Sequence, residues 1–153
     1  MQKKQGERLC DISYGLFVTA GILLPVLLSG KRGKVGMLRS LETLGMSYLA
    51  CQGIKHTVSS RRPDRQDDHS FPSGHTMNTM ALATIVASVQ PKQAPLWYLS
   101  SALIGLWRIG LRRHRPRDVF FGSLMGFLLA RFQLSRRRGL LFGWVKHLAA
   151  HKQ

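Results

Sequence analysis

The chain has 153 residues, with 23 lysines and arginines against 7 acids and a formal net charge of +16. That length suits one compact domain, and that charge points to an anionic partner: nucleic acid, an anionic membrane surface or a phosphorylated substrate. Cys10 and Cys51 stand apart with no CxxC and no metal spacing, which excludes a disulfide framework.

The basic residues are not spread evenly. They cluster at 31–39, 55–65, 108–117 and 131–138, between uncharged runs. This is the rhythm of a helical membrane protein with charged loops. A nucleic-acid binder more often carries its charge along one face of a soluble fold.

Lys3, Lys4 and Arg8 precede the first apolar run, 12–30, which is uncharged for 19 residues. That is long enough to cross a bilayer, with Pro25 as the expected kink. It is read as a retained helix, because no small-x-small cleavage site follows; a signal anchor is the alternative. A basic turn, Lys31 to Lys34, leads into a weaker helix at 38–54, where Gly45, Ser47, Ala50 and Gly53 suit close packing. Three more uncharged runs follow, at 76–91, 93–107 and 119–130, with Trp97, Tyr98 and Trp107 placed as interface residues. In the last, Gly122-x-x-x-Gly126 is compatible with a tight helix contact. The tail from 135 to 153 interleaves arginines and lysines with Leu140, Phe142, Trp144 and Leu148, the pattern of an amphipathic helix on an anionic surface. Only the first run passes the spanning test alone, since a 15-residue helix is roughly 22 Å long against a hydrocarbon core of about 30 Å. Charged side chains at the segment ends can snorkel and extend the shorter ones. The fold expected is all-α: one domain over 1–153, an integral membrane bundle of about five helices.

Two charged stretches interrupt the helices. Residues 55–75 hold Lys55, Arg61, Arg62 and Arg65, the acids Asp64, Asp67 and Asp68, and end in Pro72-Ser73-Gly74-His75 ahead of an uncharged run. Guanidinium forks match phosphate oxygens, and a helix N-terminus, here with Ser73 as N-cap, attracts anions. Residues 108–118 hold Arg108, His114, Pro116 and Asp118. Pro116 fits the first position of the last helix, which puts Asp118 in its first turn and His114 just outside. A carboxylate near an imidazole can fix its tautomer and make it a directed nucleophile or base.

In order, the chain reads Lys55, six residues, Arg62-Pro63; then Pro72-Ser73-Gly74-His75; then Arg108, five residues, His114, three residues, Asp118. This resembles the three-part signature of the type 2 phosphatidic acid phosphatase (PAP2) superfamily, over roughly residues 40–134. The resemblance implies a catalytic set: His114 as the nucleophile that becomes phosphohistidine, Asp118 as its orienting acid, and His75 as general acid to the leaving oxygen. It implies that Lys55, Arg62, Ser73, Gly74 and Arg108 hold the phosphoryl oxygens, without a metal or other cofactor. Trp107 departs from the Ser or Gly usual before the third-motif arginine. The activity implied is a lipid phosphatase of the membrane branch, with lipid A, phosphatidylglycerophosphate, phosphatidate and polyprenyl pyrophosphate all admissible substrates. A phosphotransferase of the same fold is the enzymatic alternative. A non-catalytic basic protein binding membrane or nucleic acid is the other. Two helices separate the motif loops, so both loops face one side. The positive-inside tendency makes the opposite side cytoplasmic and places the site at the periplasmic or outer face of a bacterial inner membrane.

Overall fold

The computed structural model of the protein describes residues 2–136, Gln66 excepted. Most of the expected amphipathic tail, 137–153, lies outside the described residues. The elements are all helical: α1 (Gln2–Thr57), α2 (Gly74–Val89), a 3₁₀ turn (Pro91–Gln93), α3 (Ala94–Gly110) and α4 (Pro116–Ser135). Among the described residues there is no strand, only an isolated parallel bridge between Ser60 and His69.

α1 contains the first two expected helices. It breaks at Gly30, whose φ of 52° and ψ of −123° are not helical and suit a residue without Cβ. The break is thus at Gly30, not at Pro25, which stays inside the helix. The chain folds back there: a Cβ at Gly33 would lie 1.7 Å from the Pro25 carbonyl oxygen, eight residues earlier. In a continuous helix those residues would be about 12 Å apart. Two antiparallel arms, before and after Gly30, therefore pack backbone to backbone.

α2 is the axis of the molecule. It is apolar all round, with Met77, Ala81, Leu82, Ala83, Ile85 and Val86 fully buried, as a helix enclosed by others must be. The first arm of α1 packs Phe17 against it, beside Trp97 and Ile104 of α3. The second arm bonds it through Ser47 Oγ, which donates to Asn78 Oδ1 at 2.6 Å. α4 comes closest. A Cβ at Gly122 would meet the Ser73 carbonyl at 2.7 Å, and one at Gly126 the Met77 carbonyl at 2.1 Å. The Gly-x-x-x-Gly spacing is a contact face against the start of α2.

The periphery is apolar. Leu16, Leu27, Leu49, Leu96, Phe120 and Leu128 are each more than half exposed. The interior is comparatively polar, with Thr43, Ser47, Thr76, Thr79, Ser101 and Gln133 completely buried. Glu42 and Gln133 hydrogen-bond each other there. By length and composition, and among the described residues, α1 is the one helix with a stretch apolar enough to cross a membrane, with a mean hydropathy of 1.9.

Candidate active site

The two charged stretches meet at one end of the bundle. The 58–73 loop folds back on itself: Ser60 N–H donates to the Asp68 carbonyl, Arg62 N–H to the Asp67 carbonyl and Ser70 N–H to the Ser60 carbonyl, at 2.8–3.0 Å. Its carboxylates serve the cations. Asp67 accepts from Arg62 Nε at 2.5 Å, and Asp64 pairs with Arg113 and Lys3 at 3.2 Å. The loop is pinned to α4 where Ser73 N–H donates to the Asp118 carbonyl at 3.0 Å.

His114 is 3% exposed and lies between α3 and α4. Its backbone N–H reaches the Arg108 carbonyl at 3.4 Å, and its Nδ1 lies 2.8 Å from the Ser70 carbonyl. A carbonyl can only accept, so Nδ1 carries the hydrogen and Nε2 keeps its lone pair. Burial, then the charges of Arg108 and Arg62, push the imidazolium form down to a pKa of about 3. The ring is therefore neutral at pH 7, with one free, directed nitrogen.

The direct partner of His114 differs from the one expected. Asp118 does not orient the ring itself. It is fully buried, accepts from Ser70 Oγ at 2.5 Å and reaches back to the Arg115 N–H at 2.9 Å. Pro116 opens α4 and Asp118 stands in its first turn, so this second bond is the reach-back of a helix cap. Asp118 fixes the residue whose carbonyl fixes His114. The local capping pattern was readable; the intervening Ser70, from a loop 44 residues earlier, was not.

His75 sits in the first turn of α2, ahead of the uncharged run. Its ring leans on Tyr14 at a centroid distance of 4.2 Å. Tyr14 accepts from Asn78 Nδ2 at 2.8 Å, so the ring wall is itself bonded to α2. Burial, then the charge of Arg108, hold the His75 imidazolium down at about 4, against an opposing pull from Asp11.

Arg108 joins the two imidazoles. It is 6% exposed, and its charge is felt at both His75 and His114. Its buried Nε has no hydrogen-bond partner among the described residues, a donor that an oxyanion would satisfy. The charge of Lys55 also reaches both rings. Lys55 lines a cavity of about 210 Å³ with Tyr14, Tyr48, Gly74, His75 and Asn78.

The eight expected site residues thus gather around this end or hold it in place. Ser73 is the different one. It occupies the N-cap position without capping a backbone N–H; fully buried, its hydroxyl pairs with Thr76 Oγ1 at 2.8 Å. Its observed work is to tie α2 to α4. The residue not foreseen is Asp11. One of its carboxylate oxygens lies 3.1 Å from His75 Nε2 and 3.2 Å from Arg108 Nη1. A lone acid at the edge of an apolar run carries no local signal of contacts 64 and 97 residues away. No group of three or more His, Cys, Asp or Glu suited to a metal occurs among the described residues.

Known proteins share this arrangement of sequence and fold. The chain is 28% identical over 106 residues to the lipid A 1-phosphatase of Porphyromonas gingivalis, covering 65% of this chain and 24% of that protein. It is 33% identical over 69 residues to the bacitracin transport permease protein BcrC of Bacillus licheniformis, covering 45% and 34%. It is 29% identical over 107 residues to phosphatidylglycerophosphatase B of Bacillus subtilis, covering 58% and 52%. The chain thus spans between a quarter and about half of the length of these curated relatives. The crystal structure of Aquifex aeolicus LpxE superposes with a TM-score of 0.63 at 22% identity, covering 84% of this chain and 87% of that one, which shows a shared fold. The family model described as PAP2 superfamily matches residues 36–140, and the chain belongs to that superfamily.

Proposed function

We propose that this protein is a membrane-embedded phosphatase that hydrolyses a phosphorylated lipid through a phosphohistidine on His114. The observation that carries the reading is Arg108, a buried guanidinium with an unsatisfied Nε whose charge acts on both imidazoles. The names of two relatives, a lipid A 1-phosphatase and a phosphatidylglycerophosphatase, support a lipid phosphate as substrate.

The reaction follows from the positions. Arg108, Arg62 and Lys55, with the Gly74 N–H at the start of α2, hold the equatorial oxygens, where charge spreads in phosphoryl transfer. His114 Nε2 attacks phosphorus while Nδ1–H stays on the Ser70 carbonyl. The bond from phosphorus to the leaving oxygen breaks, and His75 delivers the proton that makes it a hydroxyl. His75 then takes a proton from water, whose oxygen attacks the phosphohistidine. The P–N bond breaks, inorganic phosphate leaves, and His114 is regenerated. In the empty cationic site His75 holds its proton weakly. A bound phosphoryl dianion favours the imidazolium, so the acid is loaded when substrate arrives.

The apolar periphery and the apolar stretch of α1 support a bundle embedded in a lipid bilayer, with the uncharged runs as its spans. The basic Lys31–Lys34 segment lies at the opposite end of the bundle from the site; by the positive-inside tendency it faces the cytoplasm, and the site the periplasmic or outer face of the inner membrane. The test is phosphate release from a panel of lipid phosphates by the detergent-purified protein with EDTA present. At least one lipid phosphate is turned over, and His114→Ala lowers that rate by roughly 10³-fold or more. Unchanged turnover in the folded His114→Ala variant overturns the assignment.

A further inference from the structure

Among the described residues, Asp11 is the one acid from outside the three motifs whose carboxylate bonds His75 and Arg108. A single oxygen, Oδ1, contacts both His75 Nε2 and Arg108 Nη1. His75 is the proposed proton donor to the leaving oxygen, and Arg108 a proposed phosphoryl holder. An oxygen bonded to both stands where the oxygen bridging phosphorus to the leaving group must sit. The two partners are held firmly: Arg108 is 6% exposed and His75 leans on Tyr14. The Asp11 side chain is 59% exposed, so it is the partner able to withdraw. Its exposed side is the mouth of the site, the direction in which it can withdraw. The mouth is also where the leaving group lies.

We infer that Asp11 is a specificity-determining residue that selects lipid phosphomonoesters over lipid diphosphates. This rests on the phosphatase reading above. The two substrate classes differ in what departs. A phosphomonoester releases a neutral alcohol, which takes its proton from His75 and leaves no charge beside Asp11. A diphosphate cleaved at its terminal phosphorus releases a lipid phosphate, whose remaining oxygens carry negative charge past the displaced carboxylate. Like charges at such a distance in a partly buried site oppose each other strongly. The cations Arg108, Arg62 and Lys55 are committed to the transferring phosphoryl group, Asp67 is paired with Arg62, and the acids Glu7 and Asp64 are engaged with Arg113. Among the described residues Asp11 pairs with Arg108 and, when it is protonated, His75.

The test compares kcat/KM of the detergent-purified full chain for dodecyl phosphate and for farnesyl diphosphate, in the wild type, Asp11→Asn, Asp11→Ser and Asp11→Glu. The wild type and Asp11→Glu, which keeps the carboxylate, prefer the monoester. In Asp11→Asn and Asp11→Ser the ratio of diphosphate to monoester kcat/KM rises at least about tenfold, chiefly through a lower diphosphate KM. A ratio equal in all four proteins overturns the inference while leaving the phosphatase reading intact. If the wild type turns over neither lipid, the phosphatase reading fails separately, and thermal stabilisation by inorganic phosphate and pyrophosphate then decides about Asp11. Asp11→Asn tightening pyrophosphate more than phosphate supports the role, and equal changes overturn it.

Discussion

His114 is defined by four neighbours that do different things. The Ser70 carbonyl fixes the tautomer, Asp118 holds Ser70 by its hydroxyl, and burial, with the charges of Arg108 and Arg62, keeps the ring neutral. These roles separate experimentally. In Ser70→Ala the backbone carbonyl remains, so turnover falls less than tenfold and stability drops by about 1 kcal/mol, the usual worth of one side-chain bond. Asp118→Ala loses both the Ser70 and Arg115 contacts and leaves buried donors unpaired, at about 1–3 kcal/mol each, so turnover and apparent Tm fall together. Steady-state kinetics and thermal unfolding in detergent measure both; Ser70→Ala as inactive as His114→Ala would contradict the carbonyl's role. The neutral rings also fix a pH dependence. An unfolded histidine titrates near 6.5, whereas His114 and His75 in the fold titrate at about 3 and about 4. Between these values the unfolded chain binds more protons, so the fold loses stability as the pH falls from 6.5 toward 4. The slope reaches about 1.4 kcal/mol per pH unit for each such group. Apparent Tm between pH 7 and 4 should fall less steeply in a His75→Asn, His114→Asn double variant than in the wild type, and equal slopes would contradict these environments.

At the level of elements, the glycines decide how closely the helices approach. α4 meets α2 at Gly122 and Gly126, where the atoms opposite are backbone carbonyls and cannot turn aside as a side chain could. The contact also sets the site, because the Ser73 segment it touches carries the bond to the Asp118 carbonyl. Gly126→Val therefore forces α4 outward and costs about 1–3 kcal/mol or more in overpacking. Activity is lost with it, although the residue lies two turns from the chemistry. Gly45→Val, with nothing within 4 Å of its Cβ, should leave both nearly unchanged and serves as the comparison. Equal effects of the two, in thermal unfolding and turnover, would remove the steric argument. Helix existence was legible in the sequence because the charge clusters bracket uncharged runs, and Pro116 marked the start of α4. The Gly30 reversal was less so: Pro25 was the stronger local breaker, but a proline in an enclosed helix can be tolerated, while the required backbone angles fall on the glycine. The motif residues were legible one by one, yet the Ser70 carbonyl and Asp11 belong to tertiary packing, and no spacing in the chain announces them.

The whole molecule distributes polarity in a way that water would not favour. Threonines and serines are completely enclosed while leucines and phenylalanines cover the periphery. For a bundle dissolved in lipid this arrangement is expected: apolar chains outside cost nothing, and enclosed hydroxyls bond between helices. Two of the short spans are also lengthened, since the second arm of α1 and α4 run past their uncharged stretches. The second arm of α1, residues 31–57, extends to about 40 Å, and α4, with 20 residues, to about 30 Å, which matches a hydrocarbon core. In the proposed bilayer the arm's beginning at Lys31–Lys34 and its end at Lys55 lie on opposite faces, with the candidate active-site loop at the Lys55 end. This geometry is tested in cells with single cysteines and a membrane-impermeant maleimide, on a background where the native Cys10 and Cys51 are buried. Arg65→Cys, on the exposed active-site loop, labels in intact cells, and Lys34→Cys labels only after the cells are opened. Labelling of both from the same side would contradict the spanning bundle, and the reverse pattern would keep the bundle but turn the site toward the cytoplasm.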